Sequence, residues 1–294
     1  MNETTILVAT LALVSFGCGD SSSGGTGGTG GTGGTGGEGS AVAVTIQFAA
    51  KVGMADFECG EVYDNLGANS TSLQLDDFRF YVQDVELKNA DGDYVPVQLD
   101  TDGNTWQVEN VALLDFEDCS ELGNPEMNGV VTGTVPEGSY EGLRFAMGVP
   151  FDLNHDNPAV APPPLNLTSM HWNWQGGYKF LRIDSGNIMV NQSNWRMHLG
   201  STGCDGDAQA GGTTMCSNPN RVEVDFETFD PENDTVIADF AALVEGAPLD
   251  INQEETPVGC MAGPTDGDCA PLFDNLGLPF DGSEPDVQQF FSIE

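Results

Sequence analysis

Phe78-Arg79-Phe80-Tyr81-Val82-Gln83-Asp84-Val85-Glu86-Leu87 is a run of β-branched, aromatic and alternating residues, the signature of a strand with at least one buried face. It is followed by the turn cluster Asn89-Ala90-Asp91-Gly92-Asp93 and a second short run, Tyr94 to Leu99. Asn, Asp and Gly in that order close tight turns, because Asx side chains bond their own backbone and Gly accepts positive φ. Working outward, the same texture returns at Ala43 to Ala49, Val130 to Val135, Gly142 to Gly148 and Arg221 to Phe229, with turns at Asp100-Thr101-Asp102-Gly103-Asn104 and Pro136-Glu137-Gly138. Helical periodicity is scarce, apart from a turn or two around Val236 to Leu243. Short strands at regular spacing predict an all-β fold, a β-sandwich or barrel-like single domain with long functional loops.

Upstream of this body the chain changes character. Thr4 to Gly17 is uncharged and rich in Leu, Val and Ala, and ends in Ser15-Phe16-Gly17-Cys18. It is too short to span a bilayer and has the length of a signal-peptide core. A small residue before a cysteine suits lipoprotein processing, so residues 1–17 are expected to be a lipoprotein signal peptide and Cys18 the lipidation site. Phe16 is bulky for this pattern, and Met1 to Glu3 carries no Lys or Arg. Residues 18–40 continue as the lipidated cysteine and a Gly/Thr triplet repeat with no apolar side chain to offset the entropy of ordering, a flexible tether. Residues 41–294 are long enough for one large β domain, and no second linker interrupts them. The expected location is the cell envelope, periplasm or outer membrane and cell surface, with the membrane reached through the lipid.

The 46 acidic and 8 basic residues give a formal charge of −38, which argues against nucleic acid or an anionic lipid surface as a direct partner. Setting Cys18 aside, six of the seven cysteines remain. An even number in an exported chain predicts three disulfides, for which sequence alone allows fifteen pairings. Loop closure is easiest within the two short intervals, Cys204 with Cys216 and Cys260 with Cys269, leaving Cys59 with Cys119 by elimination. The spacings are not those of a CxxC zinc site.

Between Phe151 and Cys216 the texture changes again. All three histidines (His155, His171, His198) and three of the four tryptophans (Trp172, Trp174, Trp195) fall in this stretch, and a long excursion between strands is where function tends to sit. Imidazole suits copper, zinc and nickel. His155 follows an Asn and precedes a Pro-rich loop, which places it as the cap of a strand end. His198 precedes a Gly-Ser-Thr-Gly turn that a Cys204 bridge would pin, holding the ring. In an extended segment His171 would point away from Trp172 and Trp174, which share the other face.

These residues carry a resemblance. Phe78-Arg79-Phe80-Tyr81-Val82, Val111-Ala112-Leu113-Leu114-Asp115-Phe116, Gly148-Val149-Pro150-Phe151, Asn154-His155, Pro164-Leu165-Asn166 and Trp172-Asn173-Trp174-Gln175-Gly176-Gly177-Tyr178-Lys179-Phe180 stand in order. His198-Leu199-Gly200-Ser201-Thr202-Gly203-Cys204 and Cys216-Ser217-Asn218-Pro219-Asn220-Arg221 follow. Together they resemble the MbnP-like family, the four-Cys partners of metallo-mystery pairs. The resemblance implies copper binding at the envelope and a partner protein, a MauG-like dihaem cytochrome c peroxidase (MbnH-like), that oxidises a tryptophan to kynurenine beside the copper. It places ligands at His155 and His198 and the modified tryptophan at Trp172 or Trp174; His171, at a position more usually aromatic, is an additional ligand candidate. Indole N–H is a donor only, whereas the opened ring offers an aniline nitrogen and a ketone oxygen.

The residues also permit a different class. Asp91 with Asp93, Asp100 with Asp102 and Asp205 with Asp207 form DxD pairs in turns, as hard calcium sites often do, although none completes an EF-hand. The alternative is therefore a calcium-stabilised surface adhesion or scaffold lipoprotein. No GxSxG elbow, HExxH or phosphate-cradling glycine loop is present, so no enzyme activity is expected. A copper monooxygenase with an N-terminal histidine is excluded if Cys18 begins the mature chain.

Overall fold

The computed structural model describes residues 40–119, 125–173, 175–186, 194–207 and 212–294. All of them lie in one compact unit, Gly39–Glu294. Residues 1–39, which hold the expected signal peptide, the expected lipidation site Cys18 and nearly all of the expected tether, lie outside the described residues, as does Trp174.

The principal strands are β1 (Ala41–Val52), β2 (Thr71–Asn89), β3 (Val111–Asp115), β4 (Val130–Pro136), β5 (Tyr140–Met147), β6 (Leu181–Ser185), β7 (Arg196–Leu199), β8 (Val222–Phe226), β9 (Thr235–Asp239) and β10 (Phe291–Ile293). One sheet runs β10-β9-β1-β4 and ends on Gln98–Leu99; the other runs β8-β5-β2-β6-β7 and ends on Gly259–Cys260, with β3 also paired to β2. β1 pairs β9 in parallel and β4 antiparallel. Strands dominate, helices are few and no barrel closes, so the fold is an all-β sandwich. Among the described residues no helix is long and apolar enough to cross a membrane.

The sheets meet over a core that includes Ile46, Phe48, Phe78, Phe80, Val82, Val85, Leu87, Phe145 and Phe291. Phe80 touches Phe48, Phe78, Phe290 and Phe291 at ring-centroid distances of 5.5–6.3 Å. The alternation in β2 changes phase within this list, from Phe78, Phe80 and Val82 to Val85 and Leu87. A bulge accounts for it: Asp84 takes φ +53° and the register with β5 slips between Gln83 and Glu86. One inserted residue moves every later side chain to the other face.

The other face of β2 is covered as well: Asp77, Arg79 and Tyr81 are buried, because the excursion from Phe151 onward lies over it. A second, smaller core forms there from Tyr81, Leu113, Val149, Leu165, Met170, Tyr178 and Phe180. Tyr81 donates its hydroxyl to the Pro164 carbonyl at 3.1 Å, and Tyr178 donates to the Leu165 carbonyl. Two short ribbons follow within the same cover, His171–Asn173 with Gly177–Tyr178 and Thr202–Asp207 with Gly212–Asn218.

The helical turn expected around Val236 to Leu243 is Phe240–Leu243, capped by Asp239 Oδ1 accepting from Ala241 N at 2.8 Å, and it follows Thr235–Asp239, which is recruited as a strand beside β1. One local expectation needs correction. His155 does not cap a strand; it terminates the one-turn helix Phe151–Asn154. The disulfides are the three expected from loop closure, Cys59–Cys119, Cys204–Cys216 and Cys260–Cys269.

Candidate metal centre

The sheet face beneath the excursion is charged as well as buried. Arg79, fully buried, donates Nε to Asp77 Oδ1 at 2.8 Å and approaches Glu117 at 3.6 Å. Arg182 lies 3.1 Å from Asp77 and donates to Asp184 Oδ2 at 2.6 and 2.9 Å. Its remaining arm reaches the Ser169 carbonyl at 3.1 Å, which also accepts from Lys179 Nζ at 2.7 Å. Burial pushes the Lys179 ammonium down to about 8 and the Asp115 carboxyl beside Arg79 up to about 7.

His198 belongs to this layer. β6 and β7 pair with Arg182 opposite His198, so the imidazole stands next to Arg182 and Asp184, and its Nε2 lies 2.6 Å from Asp184 Oδ1. The sequence leads to the Cys204 bridge as the holder of this ring, and the structure corrects that: the Asp184 carboxylate holds it. Burial raises the Asp184 carboxyl, but His198 and Arg182 outweigh it and keep Asp184 well below the usual range. An ionised carboxylate only accepts, so His198 Nε2 carries the proton. Burial lowers the His198 pKa, leaving the neutral ring with a lone pair on Nδ1. That atom is buried and has no hydrogen-bond partner among the described residues.

His171 presents a second such nitrogen. Its ring packs edge-on to Tyr178 at 4.9 Å, and its Nε2 is buried without a hydrogen-bond partner among the described residues. Burial, then the charge of His155, then that of Lys179 lower its pKa, which places His155 and His171 in one electrostatic neighbourhood.

His155 is fixed from three sides. Asn154 accepts from Tyr178 N at 2.9 Å through Oδ1, so its amide nitrogen faces His155 Nε2 at 3.3 Å and donates to it. Phe151 packs edge-on at 5.1 Å, and Cys216 Sγ lies 3.5 Å from the same Nε2. The Cys204–Cys216 bridge is therefore His155's neighbour rather than His198's. Among the described residues the three imidazoles do not gather as one set of close donor atoms, whereas His155 Nε2 and the sulfurs of Cys204 and Cys216 lie within 4.8 Å of one another.

Trp172 alternates with His171 as expected: His171 joins the small core and Trp172 the large one. The indole needs glycine on both sides. A Cβ on Gly200 would stand 2.6 Å from its Cζ3, and one on Gly176 would stand 3.2 Å from its Cε3. Trp172 also lines an open cleft of about 510 Å³ with Gln175, Ser201, Thr202, Cys204 and Met261. Trp195, by contrast, is a core residue against Phe240 at 5.7 Å.

The acidic turns serve themselves. Asn89 Oδ1 accepts from the backbone N–H groups of Asp91 and Asp93 at 3.0 and 2.9 Å, and both aspartates are exposed, as are Asp100 and Asp102. Asp205 is exposed in its ribbon. Asp77, Asp184, Arg79, Arg182 and Lys179 are the site residues that the sequence reading missed. The available signal was Arg and Asp inside otherwise apolar strands, in a chain with only eight basic residues.

Fold and site define a class: a disulfide-stapled β-sandwich whose outer sheet face is roofed by a segment bearing histidine and tryptophan. The MbnP family model matches residues 41–262, and the chain belongs to the MbnP family. Its structure is similar to that of MbnP from Methylosinus trichosporium, with TM-score 0.77 and 33% identity over 86% of this chain and 98% of that one. No curated protein matches the chain.

Proposed function

We propose that this protein is a cell-envelope copper-binding lipoprotein, anchored through Cys18, that holds or relays copper without turning over a substrate. Membership of the MbnP family suggests a methanobactin-related role, and copper is the finer reading offered here. The observation that carries it is the pair of buried imidazole nitrogens, His171 Nε2 and His198 Nδ1, that find no hydrogen-bond partner among the described residues. Leaving such atoms unsatisfied costs about 1–3 kcal/mol each, a cost removed when the lone pairs are given to a metal. His198 has the support such a ligand requires, since its other nitrogen is held by a carboxylate that fixes tautomer and orientation. His155 stands beside His171 as the third candidate ligand. When bound, copper would supply a positive charge to a layer in which the carboxylates are already committed to Arg79 and Arg182.

The accompanying partner in this reading is a MauG-like dihaem peroxidase that oxidises Trp172 or Trp174 to kynurenine. Support for Trp172 comes from its half-buried position at the cleft, within reach of a docked oxidant. Copper titration of the disulfide-bonded protein tests the reading. Because the three rings do not share one set of close donor atoms before binding, copper must draw them together; about one equivalent should then bind through nitrogen, and His155→Ala, His171→Ala or His198→Ala should each lower affinity at least tenfold. Equal affinity in wild type and in the triple variant would rule the site out. Coexpression with the dihaem partner should add oxygen mass to the peptide carrying Trp172 and Trp174.

A further inference from the structure

Beyond that imidazole site, a second donor set exists only in a different redox state. Cys204 and Cys216 sit directly opposite each other on the ribbon Thr202–Asp207/Gly212–Asn218, with the pairs Thr202 to Asn218 and Asp205 to Met215 flanking them. His155 Nε2, oriented by Asn154, is 3.5 Å from Cys216 Sγ. All three donor atoms lie within 4.8 Å of one another. Metal–sulfur bonds of about 2.3 Å and metal–nitrogen bonds of about 2.0 Å around a trigonal centre put donors about 3.5–4 Å apart. Cys216 Sγ and His155 Nε2 already stand near that spacing, and the two sulfurs, bonded at 2.05 Å, part by about 2 Å once the bridge is reduced.

We propose that reduction of Cys204–Cys216 converts this corner into a three-coordinate site for a soft cation, with the thiolates of Cys204 and Cys216 and the Nε2 of His155 as ligands. An external dithiol breaks the S–S bond: two electrons and two protons pass to the cysteines, and the donor closes its own disulfide. Metal entry then displaces the two thiol protons and takes the place of the Asn154 amide hydrogen on the His155 Nε2 lone pair. Two thiolates and one imidazole select a soft ion, Cu(I) foremost, over the hard ions that carboxylates take. The Cys59–Cys119 pair serves as an internal contrast: it has Asp118 beside it and no imidazole. Cys260–Cys269 is fully buried.

The test uses the full chain with Cys59→Ser and Cys119→Ser, so that this other thiol pair is removed. After treatment with a phosphine reductant, cadmium or Cu(I) should bind at one equivalent with a thiolate-to-metal charge-transfer band. The band should vanish in the further variant Cys204→Ser/Cys216→Ser, and His155→Ala should weaken binding at least tenfold. If the reduced chain loses its sheet, Cys204→Ser decides instead. It frees Cys216 beside His155 without reductant, and its cadmium band should be lost when His155→Ala is added. A band that survives Cys204→Ser/Cys216→Ser, or affinity indifferent to His155 in both settings, overturns the proposal. Copper titration of the oxidised protein fails or succeeds separately, because its ligands include no sulfur.

Discussion

The two faces of β2 are buried to the same degree and by different means. Phe78, Phe80 and Val82 face the sandwich, where rings meet rings and any apolar group of similar volume would serve. Asp77, Arg79 and Tyr81 face the excursion, where each polar atom must find a partner or remain a cost. The inner face thus makes the fold tolerant of chemistry but strict in volume. The outer face is the reverse, and it is there that unpaired imidazole nitrogens persist.

Phe80→Ala breaks the inner side of this comparison most severely. Losing a fully buried ring should cost about 3–5 kcal/mol, read as a lower denaturation midpoint, while any chain that remains folded keeps its copper affinity. A comparable penalty for metal binding in the folded fraction would show that the two faces are not separable.

Asp115 sharpens the outer side through pH. Burial raises its carboxyl from 3.8 to about 7, against the pull of Arg79. A folded-state pKa above the unfolded one means that the stabilising share of the protonated form is complete below about pH 4. It is lost as pH climbs through about 7. The melting advantage of Asp115→Asn over wild type should therefore grow across that window, to a few kcal/mol at most, and then level off. An advantage that stays flat with pH would place the charge elsewhere.

Asp184→Asn leaves the shape of the outer layer and changes the support of His198. A lost carboxylate partner usually costs a ligand 10–100-fold in metal affinity, and copper titration of this variant should fall by about that much. Its stability should fall less than that of Phe80→Ala. The smallest effect belongs to the turns: Asp91→Ala with Asp93→Ala should move stability by about 0.5 kcal/mol or less, with or without added calcium. A calcium-dependent rise in melting temperature that these substitutions abolish would revive the scaffold reading.

Strand positions were legible because alternation is local. Ala43 to Ala49 and Val130 to Val135 lie within observed strands, and Gly142 to Gly148 overruns its strand by the one residue Gly148. The phase change at Asp84 was not, since a bulge is decided by the partner strand. Nor was the capture of His198: Asp184 lies 14 residues away and meets it only through the register of β6 with β7. His155 and Cys216 are 61 residues apart and are joined by how the second ribbon folds over the one-turn helix. The pairing of Cys204 with Cys216 could be read, because short loops close easily. Which histidine the bridge would serve could not.

The placement of β1 has a mechanical consequence. Ala41 to Gln47 is laddered to β4, and Gln47 to Lys51 to β9, while Lys51 also pairs with the terminal Glu294. A pull applied at Ser40 acts along the strand axis, so the bonds on either side are loaded in shear and must yield together rather than one by one. If the chain is anchored by its leading end, as proposed, the body is gripped through the middle of its sheet, and resistance to extraction is set by the rate at which that whole ladder breaks.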